Sequence, residues 1–241
     1  MKRKLLESLV FVVLTITLLM GVAAPAQAHD VPDQILIPTF IKPDEDQIRL
    51  LVRIPLIMLA NLSLPKRGPG YLDLASLQPA LDRALTVTAG EISIYENGIR
   101  LEPNQMQARI STAADTAFEN YPSALAHFEE PELDVSTNVF WNQGFFDVYL
   151  IYPIHSSDAS FALDTRVAPG LSGRIKWMVR FLSPQSGVRS YVLHGDFGRV
   201  VLDPKWYQAG WLFGKTGFSR MFSGAFHLLF LIALAIPFLL K

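Results

Sequence analysis

The closing residues from Gly217 to Lys241, GFSRMFSGAFHLLFLIALAIPFLLK, restrict what this chain can become more than any other stretch. Between Met221 and Leu240 there is no formal charge, and Ser223 and His227 are the only strongly polar side chains. Twenty residues at about 1.5 Å of rise make a helix of roughly 30 Å, enough to cross the hydrocarbon core of a bilayer. The expectation is a single transmembrane helix over 217–241, with everything upstream delivered to a membrane. His227 is the one residue in the run that a plain anchor does not require.

The other end carries an export signal. Lys2, Arg3 and Lys4 form a positive n-region, Leu9 to Met20 an apolar h-region, and Pro25-Ala26-Gln27-Ala28 a small-x-small cleavage pattern. Residues 1–28 therefore read as a signal peptide, and the mature chain starts at His29. Cleavage removes those three cations and Glu7, so 21 basic and 22 acidic residues become 18 and 21, and the charge moves from −1 to −3. Neither value points to nucleic acid. With no cysteine anywhere, disulfides, thiolate metal sites and cysteine nucleophiles are excluded. Export through the inner (cytoplasmic) membrane leaves the body in the periplasm and the C-terminus in the cytoplasm, a single-pass arrangement. An N-terminal His29 offers its α-amine and a ring nitrogen to one ion, a chelate suited to Cu(II) or Ni(II). The plainer reading is the first residue of a frayed terminus.

Residues 29–204 read as one mainly β, antiparallel, sandwich-like domain with one or two helical insertions; two small sandwiches are the alternative. Gln34–Ile41 and Gln47–Pro55 are β-rich around the turn residues 42–46, and Glu91–Glu96 and Ile99–Glu102 flank Asn97-Gly98, the strongest hairpin signal in the chain. Gln107 to Ser111 continues that sheet. Helical spacing appears over Leu74–Thr86, with Pro79 near its first turn, and over Thr112–Glu129, interrupted at Tyr121-Pro122. Strand patterns follow at 135–141, 145–154, 160–165, 174–182, 189–194 and 199–202, and both faces of 145–154 are apolar enough for a central strand. The acidic run Glu129–Asp134 lacks the glycine-bearing turn of a calcium loop and reads as a solvated loop. Residues 205–216, with Trp206, Tyr207 and Trp211, form an aromatic segment suited to the membrane interface.

Catalytic signatures do not emerge: there is no Gly-x-Ser-x-Gly, no His-Glu-x-x-His and no phosphate-binding glycine loop. The expectation is a protein that is not an enzyme, with an anchored enzyme as the outlying possibility. His155 and His194 sit in predicted hairpin loops where a single histidine is ordinarily structural, and His127 is explained by the C-terminal end of a helix.

One set of residues resembles a known family. Gly217-Phe-Ser-Arg-Met-Phe-Ser-Gly-Ala-Phe-His-Leu-Leu-Phe-Leu231 is similar to the segment opening the membrane part of HupE/UreJ-type proteins, roughly Gly-x-x-His-Ile-x-x-Gly-x-Asp-His-Leu-Leu-Phe-Leu. Upstream, His29, Leu51-Val-Arg-Ile-Pro-Leu56, Gly70-Tyr-Leu-Asp-Leu74 and Leu202-Asp-Pro-Lys-Trp-Tyr-Gln-Ala209 extend the resemblance over nearly the whole mature chain. It implies an exported domain associated with nickel or cobalt uptake. Arg220 and Phe226 stand where that pattern has histidine and aspartate, so His227 alone carries over as a metal ligand. The family continues into several more helices, and this chain is truncated relative to it. Lys215 and Arg220 outside against Lys241 inside also run counter to the positive-inside tendency. The resulting expectation is an anchored periplasmic domain that binds a partner, itself included, or delivers metal, without transporting alone. The alternative is a subunit of a multi-chain Ni/Co permease. His29 and His227 are the candidate metal residues; the ion is Ni, Co or Cu.

Overall fold

Two strands with buried residues on both faces, 94 residues apart at the paired positions Arg53 and Asp147, lie side by side in the larger sheet. The computed structural model describes residues 34–167 and 169–203. In chain order come β1 (Ile35–Asp44), β2 (Gln47–Pro55), a 3₁₀ turn (Leu56–Leu59), β3 (Lys66–Arg67), β4 (Tyr71–Leu72) and a second 3₁₀ turn (Leu74–Ser76). Helix α1 (Gln78–Glu91), β5 (Ile92–Glu96), β6 (Ile99–Arg100), β7 (Gln105–Ser111), a 3₁₀ turn (Ala117–Glu119) and helix α2 (Tyr121–His127) follow. The last third holds β8 (Phe145–Pro153), β9 (Phe161–Thr165), a 3₁₀ turn (Pro169–Arg174), β10 (Ile175–Ser183), β11 (Gly187–His194) and β12 (Val200–Val201). The described domain is mainly β. Its strands form a six-stranded sheet in the order β11-β10-β1-β2-β8-β7, a four-stranded sheet β12-β9-β5-β6, and the small pair β3-β4.

Alternation assigns each side of the large sheet. Ile37, Ile41, Leu50, Val52, Val148, Val179 and Phe181 point inward into one core that also takes Ile92 and Ile94 of β5 and Phe161 and Leu163 of β9. Phe161 and Phe181, one from each sheet, have ring centroids 6.4 Å apart. The opposite parity, Phe40, Leu51, Tyr149 and Leu182, points outward and packs beneath Phe118, Tyr121 and Ala124 of the 117–119 turn and α2. This double burial means that charged residues on the outward side of β2 and β8 need partners within the fold.

Several expectations hold. The first hairpin closes at 45–46, with Glu45 at φ 36°, and Asn97 and Gly98 take φ 49° and 87°, the positive angles a type I′ turn needs. Others are corrected. The sheets are not wholly antiparallel, because β1 pairs in parallel with β10. β7 does not extend the Asn97-Gly98 hairpin but pairs with β8 in the larger sheet. The 135–141 stretch forms no strand, only a bridge between Phe140 and Tyr71. The first helix starts at Gln78 instead of Leu74, with Pro79 in its first turn where a missing N–H costs nothing, and continues to Glu91. Among the described residues no helix is long and apolar enough to cross a membrane. The signal peptide (1–28), the aromatic segment (205–216) and the apolar run (217–241) lie outside the described residues, as do His29 and His227.

Candidate functional site: a closed ionic cluster under the second helix

The outward parity that carries Leu51 and Tyr149 also carries three charges across three neighbouring strands. Register sets Arg53 of β2 opposite Asp147 of β8, and Asp147 opposite Arg109 of β7. Asp147 has no exposed surface and Arg53 is 4% exposed. An ion pair this deep persists only when its hydrogen bonds are complete. Arg53 Nε and Nη2 donate to the two carboxylate oxygens of Asp147, each at 2.7 Å. Nη2 also donates to Asp115 Oδ1 at 2.7 Å, and Nη1 to the Asp115 carbonyl at 2.9 Å. The guanidinium lies between the rings of Phe118 and Phe145, 4.4 and 4.7 Å from their centroids. Burial works against the charge on Asp115. The Arg53 hydrogen bond, the Ala117 N–H, and the charges of Arg53 and His127 outweigh it and hold that carboxyl below its usual range.

His127, in the last turn of α2, turns its ring down into this cluster. Nε2 lies 2.9 Å from Ser111 Oγ and 3.2 Å from Asp147 Oδ2. Nδ1 faces Glu130 at 3.3 Å and Asp115 at 3.7 Å. The Ser111 hydroxyl donates to Asp147. Arg109 completes the assembly by donating to the carbonyls of His127, Glu130 (3.1 Å) and Pro131 (2.8 Å), which satisfies the C-terminal end of α2. His127 does sit at a helix C-terminus as expected. Its ring, however, belongs to a buried network rather than to the helix dipole alone.

Serine on Nε2 and carboxylates on Nδ1 follow the order of a nucleophilic triad. Access decides against that chemistry: Ser111 is 1% exposed, and its proton is already committed to Asp147. No acyl carbon can reach the roughly 3 Å that attack needs. Metal binding meets a similar obstacle. The carboxylates lie on opposite sides of the imidazole, and Arg53 occupies the space where an ion would bridge Asp115 and Asp147. Among the described residues no three His, Cys, Asp or Glu side chains group to hold a metal. The cluster fastens α2 and the acidic 128–134 segment to the sheet. Beside it an open groove of about 340 Å³, lined by Gln78, Asp82, Gln107, Glu130 and Glu132 among others, is acidic and solvated.

A second polar device lies on the smaller sheet. Glu96 of β5 is buried and accepts the backbone N–H groups of His155 (2.9 Å) and Ser156 (3.1 Å), while its other oxygen meets His155 Nδ1 at 2.8 Å. Burial opposes the charged form of Glu96. The His155 ring and these two N–H groups override it and hold the carboxyl below the usual range. This latch closes the loop after β8. His194, at the end of β11, is exposed opposite Lys176.

Arg53, Arg109, Ser111, Asp115 and Asp147 were not among the expected site residues. Their signal was nonetheless present: Asp147 interrupts Phe145-Phe146-x-Val148-Tyr149-Leu150, and Arg53 interrupts Leu50-Leu51-Val52-x-Ile54. A charge inside an apolar central strand demands a buried partner of opposite sign. Comparison with known families gives no matching family profile, and no curated protein matches the chain.

Proposed function

We propose that this chain is an exported, membrane-anchored β-sandwich domain of the HupE/UreJ type that binds a partner or delivers Ni, Co or Cu, and that it neither catalyses a reaction nor transports alone. The observation that carries the non-catalytic part is the closure of the Arg53–Asp147–Ser111–His127 cluster, whose reactive atoms are all used internally. The sandwich reading is supported by one core drawing side chains from both sheets. The anchor and its metal rest on sequence alone: the uncharged run 221–240, the Gly224 and His227-Leu-Leu-Phe-Leu231 resemblance, and an export signal ending before His29. One helix cannot enclose a conducting path, so transport requires side chains from further helices.

The test is calorimetric titration of the processed full chain in detergent with Ni(II), Co(II) and Cu(II), after N-terminal sequencing. Metal delivery predicts near-stoichiometric binding that His29→Ala abolishes and His227→Ala leaves intact. Loss on His227→Ala alone moves the reading to a permease subunit, which the histidine inside the apolar run favours. Binding of no divalent ion removes the metal role and leaves partner binding.

A further inference from the structure

The outward side of the six-stranded sheet is finished in two ways. Over β1, β2, β8 and β7, the 117–119 turn and α2 cover it. Toward β10 and β11 it stays open. Register builds an apolar row there, Pro38–Met178–Val192, extended by Leu36 and Val188. Leu36 is 45% exposed, Met178 37%, Val188 64% and Val192 56%, so four large apolar side chains share one face in water. Isolated exposed hydrophobics are ordinary; a contiguous set marks a contact surface. Lys176 and Arg180 flank the row on β10, and none of the outward positions at 36–42, 176–182 and 188–194 is Asp or Glu. Glu119 meets this face through its carbonyl, which accepts from Arg180.

An apolar row edged by cations and free of acids has the chemistry of an anionic lipid surface. The chain also leaves the described domain beside the β10–β11 hairpin. Asp203, the last described residue, is held by Ser183 (3.0 Å), Ser186 (3.1 Å) and Arg189 (3.0 Å) at the β10–β11 turn. Arg189 has the parity opposite to Val188, so this exit fixes only the hairpin near the segment leading to the uncharged run, and the apolar row with its cations decides the face. A second copy fits this face less well, because an isologous contact sets Lys176 and Arg180 against their own equivalents. We infer that the outward face of β10 and β11, with the start of β1, lies on an anionic bilayer surface and orients the domain there; the inference rests on the anchor reading only for its choice of bilayer.

The absence of cysteine makes the test direct. Full chain carrying V192C is labelled with an environment-sensitive fluorophore and mixed at low salt with vesicles holding nitroxide-headgroup lipid. The vesicles are phosphatidylcholine alone or with about one-third phosphatidylglycerol. The control is I99C, on the hairpin of the other sheet, at a residue 71% exposed. The label at 192 should be quenched on anionic vesicles and the label at 99 should not. K176E/R180E should lower the docked-to-undocked ratio by about 30-fold while leaving the melting temperature unchanged. V188E, made in the V192C background, is the second variant should that pair perturb folding, and should lower quenching likewise. Equal quenching at 99 and 192, or none at 192, overturns the inference. So does a blue shift at 192 that needs no lipid and grows with protein concentration, which would assign the face to a second copy. Flotation in alkaline carbonate reads the anchor separately: failure to float refutes the anchor, while quenching at 192 still decides the surface contact.

Discussion

Asp147 is the residue on which most depends. Moving a carboxylate out of water costs several kcal/mol, and here Arg53, Ser111 and His127 together replace the lost hydration. Arg53→Met leaves that carboxylate buried without its bidentate partner and should cost about 3–5 kcal/mol in urea unfolding. The double variant Arg53→Met/Asp147→Leu should recover much of the loss, since an apolar pair of similar volume removes both charges. A loss below about 1 kcal/mol for Arg53→Met would show that Ser111, His127 and solvent satisfy Asp147 without it. The two charges were visible in sequence as interruptions of apolar strands. Their partnership was not, because 94 residues separate them and only strand order makes them neighbours. His127 was legible as the end of a helix, a local feature; its ring partners were not, because Ser111 and Asp147 reach it through the sheet.

At the scale of elements, local chemistry was legible and long-range pairing was not. Asn97-Gly98 dictates its own turn, and the charges and proline at 42–46 dictate the first hairpin. The strand pattern at 135–141 was equally clear, yet no neighbouring edge receives it beyond the Tyr71–Phe140 bridge. A pattern reports what a strand could bury, not whether a partner is present. The parallel β1–β10 pairing joins distant segments and leaves no local mark. Gly144, just before β8, is a case where an element depends on one missing atom. A Cβ there would lie 2.6 Å from the Ser111 carbonyl oxygen, 2.8 Å from Val139 and 2.9 Å from Leu56, while its own carbonyl accepts from the Leu56 N–H. Gly144→Ala should therefore destabilise by about 1–3 kcal/mol, although its side chain is a single methyl. Gly98→Ala meets no neighbouring atom and should cost only about 1 kcal/mol of backbone strain at φ 87°. Thermal unfolding of the two variants side by side separates steric contact from turn conformation; equal losses would place both effects in the backbone.

At the scale of the molecule, the described domain has a polar interior held by carboxylates, and acid is the stress that should find it. Glu96 and Asp115 are both held below the ordinary carboxylate range, by the His155 latch and by Arg53. A carboxyl with a depressed folded value stabilises fully above its unfolded value of about 4 and loses that stability as pH falls through the lower folded value. Stability from these two groups should accordingly be level from neutral pH to about 4.5 and decline below it. Glu96→Gln keeps an acceptor for the His155 and Ser156 N–H groups but cannot ionise, so it should lower the melting temperature at pH 7 and flatten the decline toward pH 3. Melting curves of wild type and Glu96→Gln across that interval should converge as the pH falls. Parallel curves would mean that Glu96 ionises alike in the folded and unfolded chains, and that the latch closing the loop after β8 acts through shape rather than charge.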